Sequence, residues 1–227
     1  MSKHQDHKED INIGEAYSKA EKFLDQKKQP ITIALGAIIV IVFGSFYYFS
    51  MYLPPLQKEA EQSVFQAQKA FAIDSFNLAM YGNEEIIGFE EIIDTYGSTT
   101  VGNTSKYYMA VSLMHTGSYD EAIEYYKSYS PEDHMTKALT QGGIGDCLVQ
   151  LEAYDEAITS YEKAANAYVN DFSTPIYLKK GGIVAEKIGD YEKAVKFYQR
   201  IKTQYPDSQE GRDIEKYLAH AKSFIAK

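Results

Sequence analysis

Side chains able to do chemistry are sparse in this chain and poorly placed for working together. His4 and His7, in Ser2-Lys-His-Gln-Asp-His-Lys-Glu-Asp10, have a spacing that a metal ion can bridge. No cysteine or further histidine stands near them, and their surroundings read as a charged, solvated tail. His115, His134 and His220 lie far apart in helical segments. Cys147 is the single cysteine, so no intramolecular disulfide framework exists; a lone cysteine inside a helical pattern reads as a small buried apolar residue. Gly142-Gly143 and Gly181-Gly182 sit within helical patterns rather than between a strand and a helix, which excludes a phosphate loop. A nucleophile elbow, a Walker loop and a zincin motif are all absent. The expectation is a protein without catalytic residues, metal, cofactor or small-molecule substrate. The net charge of −9 argues against nucleic acid as a partner. The 20 tyrosines, set against no tryptophan, leave two readings open, a tyrosine-rich core or a tyrosine-lined binding surface.

Two kinds of element must position whatever this chain binds. The first is apolar. Residues Ile31 to Leu53 carry no formal charge, long enough for the roughly 20 residues that a bilayer core requires, and lack the polar stripe of a core helix. Lys19, Lys22, Lys27 and Lys28 precede the run, whereas Lys58 and Lys69 follow it, so the N-terminus is expected in the cytoplasm. Phe46, Tyr47, Tyr48, Phe49 and Tyr52 form an interfacial aromatic belt, and Pro54-Pro55 is expected to end the membrane helix. Before the span, Ile13, Ala16, Tyr17, Ala20, Phe23 and Leu24 trace one face of a short amphipathic helix. The expected divisions are a cytoplasmic tail over 1–30, a transmembrane helix over 31–53 and an exported domain over 54–227.

The second kind of element is repeated. Gly117-Ser-Tyr119-Asp-Glu-Ala122, Glu152-Ala-Tyr154-Asp-Glu-Ala157 and Gly189-Asp-Tyr191-Glu-Lys-Ala194 match, with their tyrosines 35 and 37 residues apart. Twelve residues before each alanine stands a small residue, Ala110, Gly145 or Gly182. Small residues at constant spacing allow two antiparallel helices to cross closely, and Tyr126, Tyr161 and Tyr198 then fill the gap to the next unit. Gly117 and Gly189 suit helix C-termini. Ser118 with Glu121 reads as a capping box, Asp190 as an N-cap, and Ser130-Pro131 and Thr174-Pro175 as cap-then-proline helix starts. Three such motifs in register resemble tetratricopeptide repeats, in a version without the opening tryptophan. A degenerate first unit is expected from about Glu59 to Tyr96, and a capping helix after Tyr205 that carries Lys216, His220, Lys222 and Lys227 on its polar side. The fold expected is all-α: a single transmembrane helix followed by a tetratricopeptide-repeat solenoid.

In such an array the first helix of each unit lines a concave groove. Helical periodicity nominates Tyr107, Val111, Met114 and His115, then Leu139, Asp146 and Gln150, then Ile176, Lys179, Ile183 and Glu186. The set lacks the Lys/Arg clamp that would hold a C-terminal carboxylate, so an extended client or the side of a folded partner fits better. The layout further resembles the ancillary Sec-translocon subunit family (YfgM-like), in its Bacteroidetes-type form. The stretches that carry this likeness are Ala16-Tyr-Ser-Lys-Ala-Glu-Lys-Phe23, Asp74-Ser-Phe-Asn-Leu-Ala79, Ile92-Ile-Asp-Thr-Tyr-Gly97 and Gly102-Asn-Thr-Ser-Lys-Tyr-Tyr108. The resemblance implies a scaffold in the bacterial inner membrane with a periplasmic repeat domain, whose partners are the Sec channel, periplasmic chaperones and secreted clients. A structural part in another envelope assembly, for outer-membrane biogenesis or division, is the alternative.

Overall fold

The computed structural model describes Gly14, Ser18, Glu21, Lys22 and residues 26–225. The residues nominated for the tail helix, Ile13, Ala16, Tyr17, Ala20, Phe23 and Leu24, lie outside that set, as does Lys227. Among the described residues every regular element is helical. The chain divides into two compact units, one ending at Pro55 and one beginning at Leu56.

In the first unit, α1 (Lys28–Tyr47) buries no residue and belongs to a helical run long and apolar enough to cross a membrane, with mean hydropathy 2.2. A π-helical turn (Tyr48–Tyr52) follows, in which the Leu53 amide donates to the Tyr48 carbonyl five residues back. Pro54 and Pro55 do not end the helix as expected; they sit in the first turn of α2 (Leu53–Ala72). A proline ring collides with the carbonyl four residues earlier. For this pair those carbonyls belong to Ser50 and Met51, inside the widened turn, where that pairing has already been given up.

The second unit is a stack of helix pairs. After α2 come α3 (Phe76–Tyr81) and α4 (Phe89–Tyr96), then α5 (Thr100–Thr116) with α6 (Tyr119–Ser128), α7 (His134–Gln150) with α8 (Tyr154–Ala167), α9 (Ser173–Lys187) with α10 (Tyr191–Gln204), and finally α11 (Gln209–Ile225). The proposed crossing residues are all buried: Ala110, Ala122, Ala157 and Ala194 have no exposed surface, and Gly145 and Gly182 are covered. Each intra-pair turn is made by a residue in the left-handed region two places before the aromatic that opens the second helix. These are Gly117 (φ 88°) and Gly189 (φ 82°), but also Glu152 (φ 59°) and, ahead of Phe76, Asp74 (φ 58°). Asp74 therefore marks the turn of the first unit expected between about Glu59 and Tyr96. Ala67 and Ala79 have no exposed surface and repeat the twelve-residue interval. The second helix of this unit is cut in two by the loop from Gly82 to Gly88, where the Asn83 side chain accepts from the amides of Glu85 and Ile86.

Local capping departs from the sequence reading in three places. Asp190 accepts from the Lys193 amide at 2.9 Å, as expected, but the Ser118 side chain makes no capping bond. The helix expected to start at Ser130-Pro131 begins later, capped by Asp133, whose carboxylate takes the Thr136 amide at 2.8 Å. Asp is the stronger acceptor, and it leaves the proline in the extended approach. Thr174-Pro175 does fall in the first turn of α9, but the orphan amides of Phe172 and Ser173 go to Asn170, and the Thr174 hydroxyl instead accepts from the Asn170 amide.

The motif tyrosines also divide. A Cβ on Gly143, in the next unit, would meet the Tyr126 ring at 2.5 Å, as a gap-filling role requires. Tyr161 and Tyr198 also cover glycines of their own unit, Gly145 and Gly182, because glycine there lets the ring drop between the paired helices, and both still reach the next unit, where Lys180 lies 5.8 Å from the Tyr161 ring centre and the Tyr217 ring 5.6 Å from that of Tyr198.

Two stability measurements test this register. Gly145→Leu drives a side chain into the Tyr161 ring, which a bare Cβ already meets at 2.7 Å, and should cost about 1–3 kcal/mol or more; an unchanged melting temperature of the purified chain would reject the packing. Glu152→Gly relieves a left-handed backbone that glycine adopts freely and should raise stability by about 0.5–1 kcal/mol, whereas Gly189→Glu should lower it by a similar amount.

Candidate protein-binding surface

The eleven groove candidates lie on α5, α7 and α9, the first helices of three successive pairs. Their burial is graded. His115, Leu139, Gln150 and Ile183 are exposed, while Tyr107, Val111, Met114, Asp146, Ile176, Lys179 and Glu186 are partly covered.

Five of the eleven are engaged within the molecule. The Tyr107 ring packs against Tyr126 and Tyr129 with centroids 5.8 and 5.6 Å away, and burial raises its hydroxyl above the ordinary phenol range. His115 stacks on Phe76 of the interrupted unit at 4.6 Å. Asp146 holds the Lys180 ammonium of the next first helix at 2.7 and 2.8 Å and accepts from the Tyr161 hydroxyl at 2.6 Å, so its carboxylate ties α7 to both α8 and α9. The Lys179 ammonium stands 5.0 Å from the centre of the Tyr217 ring, and Glu186 lies 3.4 Å from the His220 ring nitrogen. Both of those partners come from α11. Val111, Met114, Leu139, Ile176 and Ile183 remain, with Gln150, as a narrower and more apolar strip than the sequence indicated.

Sequence periodicity missed Tyr217 and His220 because α11 was read as a cap with a solvent-facing basic side. It also behaves as a further first helix: Ile214, Leu218 and Ala221 are buried, and the Phe224 ring stacks on Tyr191, the head of the preceding motif, at 4.4 Å. Lys216 and Lys222 do face solvent. The spacing signal was present, since Tyr217 follows Gly182 by about one repeat length.

The paired glycines and Cys147 are packing surfaces, while His4 and His7 lie outside the described residues. The Gly142, Gly143, Gly181 and Gly182 backbones are covered by the rings of Tyr177, Tyr126, Phe197 and Tyr198 in turn. No group of three or more His, Cys, Asp or Glu side chains among the described residues could hold a metal ion. Cys147 has no exposed surface, and burial, with the Asp146 charge adding to it, pushes its thiol up to about 12. Desolvation likewise raises the hydroxyls of Tyr126, Tyr161 and Tyr198, and lifts Tyr177 to about 12.

These shifts carry a pH dependence. A group whose acid form is favoured by folding adds its stabilisation at pH values below its unfolded pKa and loses it as pH climbs towards the folded value. For Cys147 that window opens near 9, and for the buried tyrosines near 10. The helical signal should therefore stay flat to about pH 9 and collapse cooperatively above pH 10, with phenolate absorbance appearing in the same transition. Phenolate that forms smoothly while the helices persist would show the rings to be accessible.

Models of the tetratricopeptide repeat match residues 140–168, which cover most of α7 and all of α8, and residues 178–208, which cover most of α9 and all of α10. No curated protein matches the chain. The pairs α7–α8 and α9–α10 therefore carry tetratricopeptide repeats within a stack that is all-helical over the described residues; such repeats suggest a protein-interaction scaffold, and one N-terminal helix among these residues is apolar and long enough to span a membrane.

Proposed function

We propose that this chain is a membrane-anchored scaffold of the bacterial inner membrane, with residues 1–30 in the cytoplasm, 31–53 in the bilayer and the repeats from 54 onward in the periplasm. There it serves as an accessory subunit of the Sec translocon, joining the channel to periplasmic chaperones or to secreted clients, and it performs no catalysis. The observation that carries the binding role is the apolar strip of Val111, Met114, Leu139, Ile176 and Ile183 across three first helices, with Leu139 and Ile183 showing 37% and 44% of their surface. Apolar side chains repeated along successive helices suit a protein surface or an extended chain better than a small polar ligand.

The anchor adds a reason for the location. A tether converts capture of a membrane-proximal partner into a nearly intramolecular event and raises the effective concentration of the strip there. A chain leaving a channel, or a chaperone waiting beside it, gains most from that arrangement. The lysines before Ile31 support the orientation, and the likeness to the translocon-subunit family supports the assembly.

The test has two arms. Protease added to spheroplasts should remove the chain beyond Pro55 and spare the tail; protected repeats would place them in the cytoplasm and reject the exported domain. Photocrosslinkers at Val111, Leu139 and Ile183 should capture channel subunits, periplasmic folding factors or secretory chains, while one at Lys196 on α10 should not. Equal capture from Lys196 rejects the strip, and capture of outer-membrane or division components alone rejects the translocon.

A further inference from the structure

On the side of the stack away from the strip, the second helices α6 and α8 stand apart over α7 and leave a cleft of about 960 Å³. Its apolar floor comes from Ile123 of α6, Ile144 and Leu148 of α7 and Leu151 at the C-cap of α7, at helical spacing; Leu151 is exposed, and the other three are core residues that show only an edge to the cleft. None of the eleven groove candidates lines it. Charged groups stand around the apolar stripe, the anatomy of a protein interface with an apolar centre and a polar rim.

The rim charges are ordered along the cleft. At one end stand Asp120 and Glu121 of α6 with Asp155 and Glu156 of α8, in the first turns of their helices. Towards the other end are Lys127 and Lys163, and a continuation of about 530 Å³ adds Lys137 together with Glu162, whose carboxylate is paired with Lys193 at 3.4 Å. Lys127 is paired with Glu124 at 3.0 Å. The four first-turn carboxylates, Lys163 and Lys137 form no salt bridge among the described residues. A first-turn carboxylate is stabilised by its own helix, so the acidic end alone indicates no partner. The apolar stripe beneath and the opposite charge at the far end together do.

We propose that this cleft docks an amphipathic helix of a partner protein, laid parallel to α7 and antiparallel to α6 and α8. Its apolar stripe would rest on Ile123, Ile144, Leu148 and Leu151. Helices commonly carry acidic residues in their first turn and basic residues in their last. In this orientation the basic last turn enters between the carboxylates of α6 and α8, and the acidic first turn meets Lys163 and Lys137. From Lys137 to the C-cap Leu151 the floor measures about 21 Å at 1.5 Å per residue, which matches a partner of about four turns. The inference rests on the scaffold reading but uses a different face of the repeats.

The experiment uses the full chain in lipid nanodiscs and a fluorescent, hydrocarbon-stapled peptide of about four turns. The peptide carries leucines at alternating three- and four-residue steps, glutamates in the first turn and lysines in the last. A second peptide has the charges exchanged end for end. Saturable binding at low salt is expected, about tenfold tighter for the first peptide, because ordered charges set orientation more than they add affinity. Glu121→Lys with Asp155→Lys, and separately Lys163→Glu, should shrink or invert that preference, and exposed Leu151→Asp should weaken both peptides. All these positions are exposed, so the melt of each variant should stay cooperative; Lys163→Glu lies outside any first turn and serves if the double variant melts early. No saturable binding, equal affinity for the two peptides, or indifference to every variant overturns the proposal. A dimer of the chain that Leu151→Asp dissolves also overturns it, in favour of self-association. Crosslinks from Val111 and Ile183 report on the scaffold reading separately, whichever way the peptides behave.

Discussion

The Tyr161 ring lies so close to α7 that a Cβ on Gly145 would stand 2.7 Å from it, and the Tyr198 ring presses on Gly182 in the same way one unit later. A ring laid on bare backbone fixes both the separation and the rotation of the paired helices, since neither helix can turn without losing the contact. The remaining geometry of the repeats follows from this. The alanines of the crossing are buried because the helices come that close, and the intra-pair turns must be tight enough to keep the ring opposite its glycine. The contact has a polar consequence too. The Tyr161 hydroxyl reaches Asp146, whereas the Tyr198 hydroxyl is buried without a hydrogen-bond partner. An unmet hydroxyl costs about 1–3 kcal/mol. The ring's area against the glycine must exceed that for the arrangement to persist.

Much of this fold is readable from residue types. Three six-residue motifs with a constant twelve-residue offset define the helix pairs, and the glycines at 117 and 189 define two of the turns. Harder to read was the unit around Asp74. Its alanines keep the interval, but an acidic residue replaces the turn glycine, and the loop from Gly82 displaces the tyrosine that would complete the motif. Glu152 disguises its turn in the same manner. Caps were misread where two acceptors competed within a few residues, as with Ser130 and Asp133, because side-chain geometry rather than composition decides between them. The double proline was misread because a proline's clash depends on the turn before it, which here is π-helical.

Binding-site residues were less legible than fold residues, for a physical reason. Periodicity identifies which side of a helix a residue is on, but it cannot say whether a neighbouring unit already uses that side chain. Asp146 and Lys179 have the exposure and charge of contact residues, yet one locks α7 to α9 and the other lies over Tyr217. Among the apolar members Val111 and Met114 pack partly against the core, and Leu139 and Ile183 keep the most surface. The tyrosines serve both readings: Tyr96, Tyr126, Tyr129, Tyr161, Tyr177, Tyr198 and Tyr205 are buried in the interior, whereas Tyr81 and Tyr168 are exposed on the repeats.

Helix α7 contains Gly142, Gly143 and Gly145 within four residues. Each glycine in a helix interior costs about 1 kcal/mol relative to alanine, so this segment alone would stay mostly unwound. It is held in shape by rings that arrive from three other helices: Tyr126 from α6, Tyr161 from α8 and Tyr177 from α9. A stack whose units each formed independently would unravel from its ends one pair at a time. Here the middle unit waits on both sides before it can order, which welds the flanking pairs into one cooperative block and makes truncation within α6 or α9 far more disruptive than loss of a terminal helix.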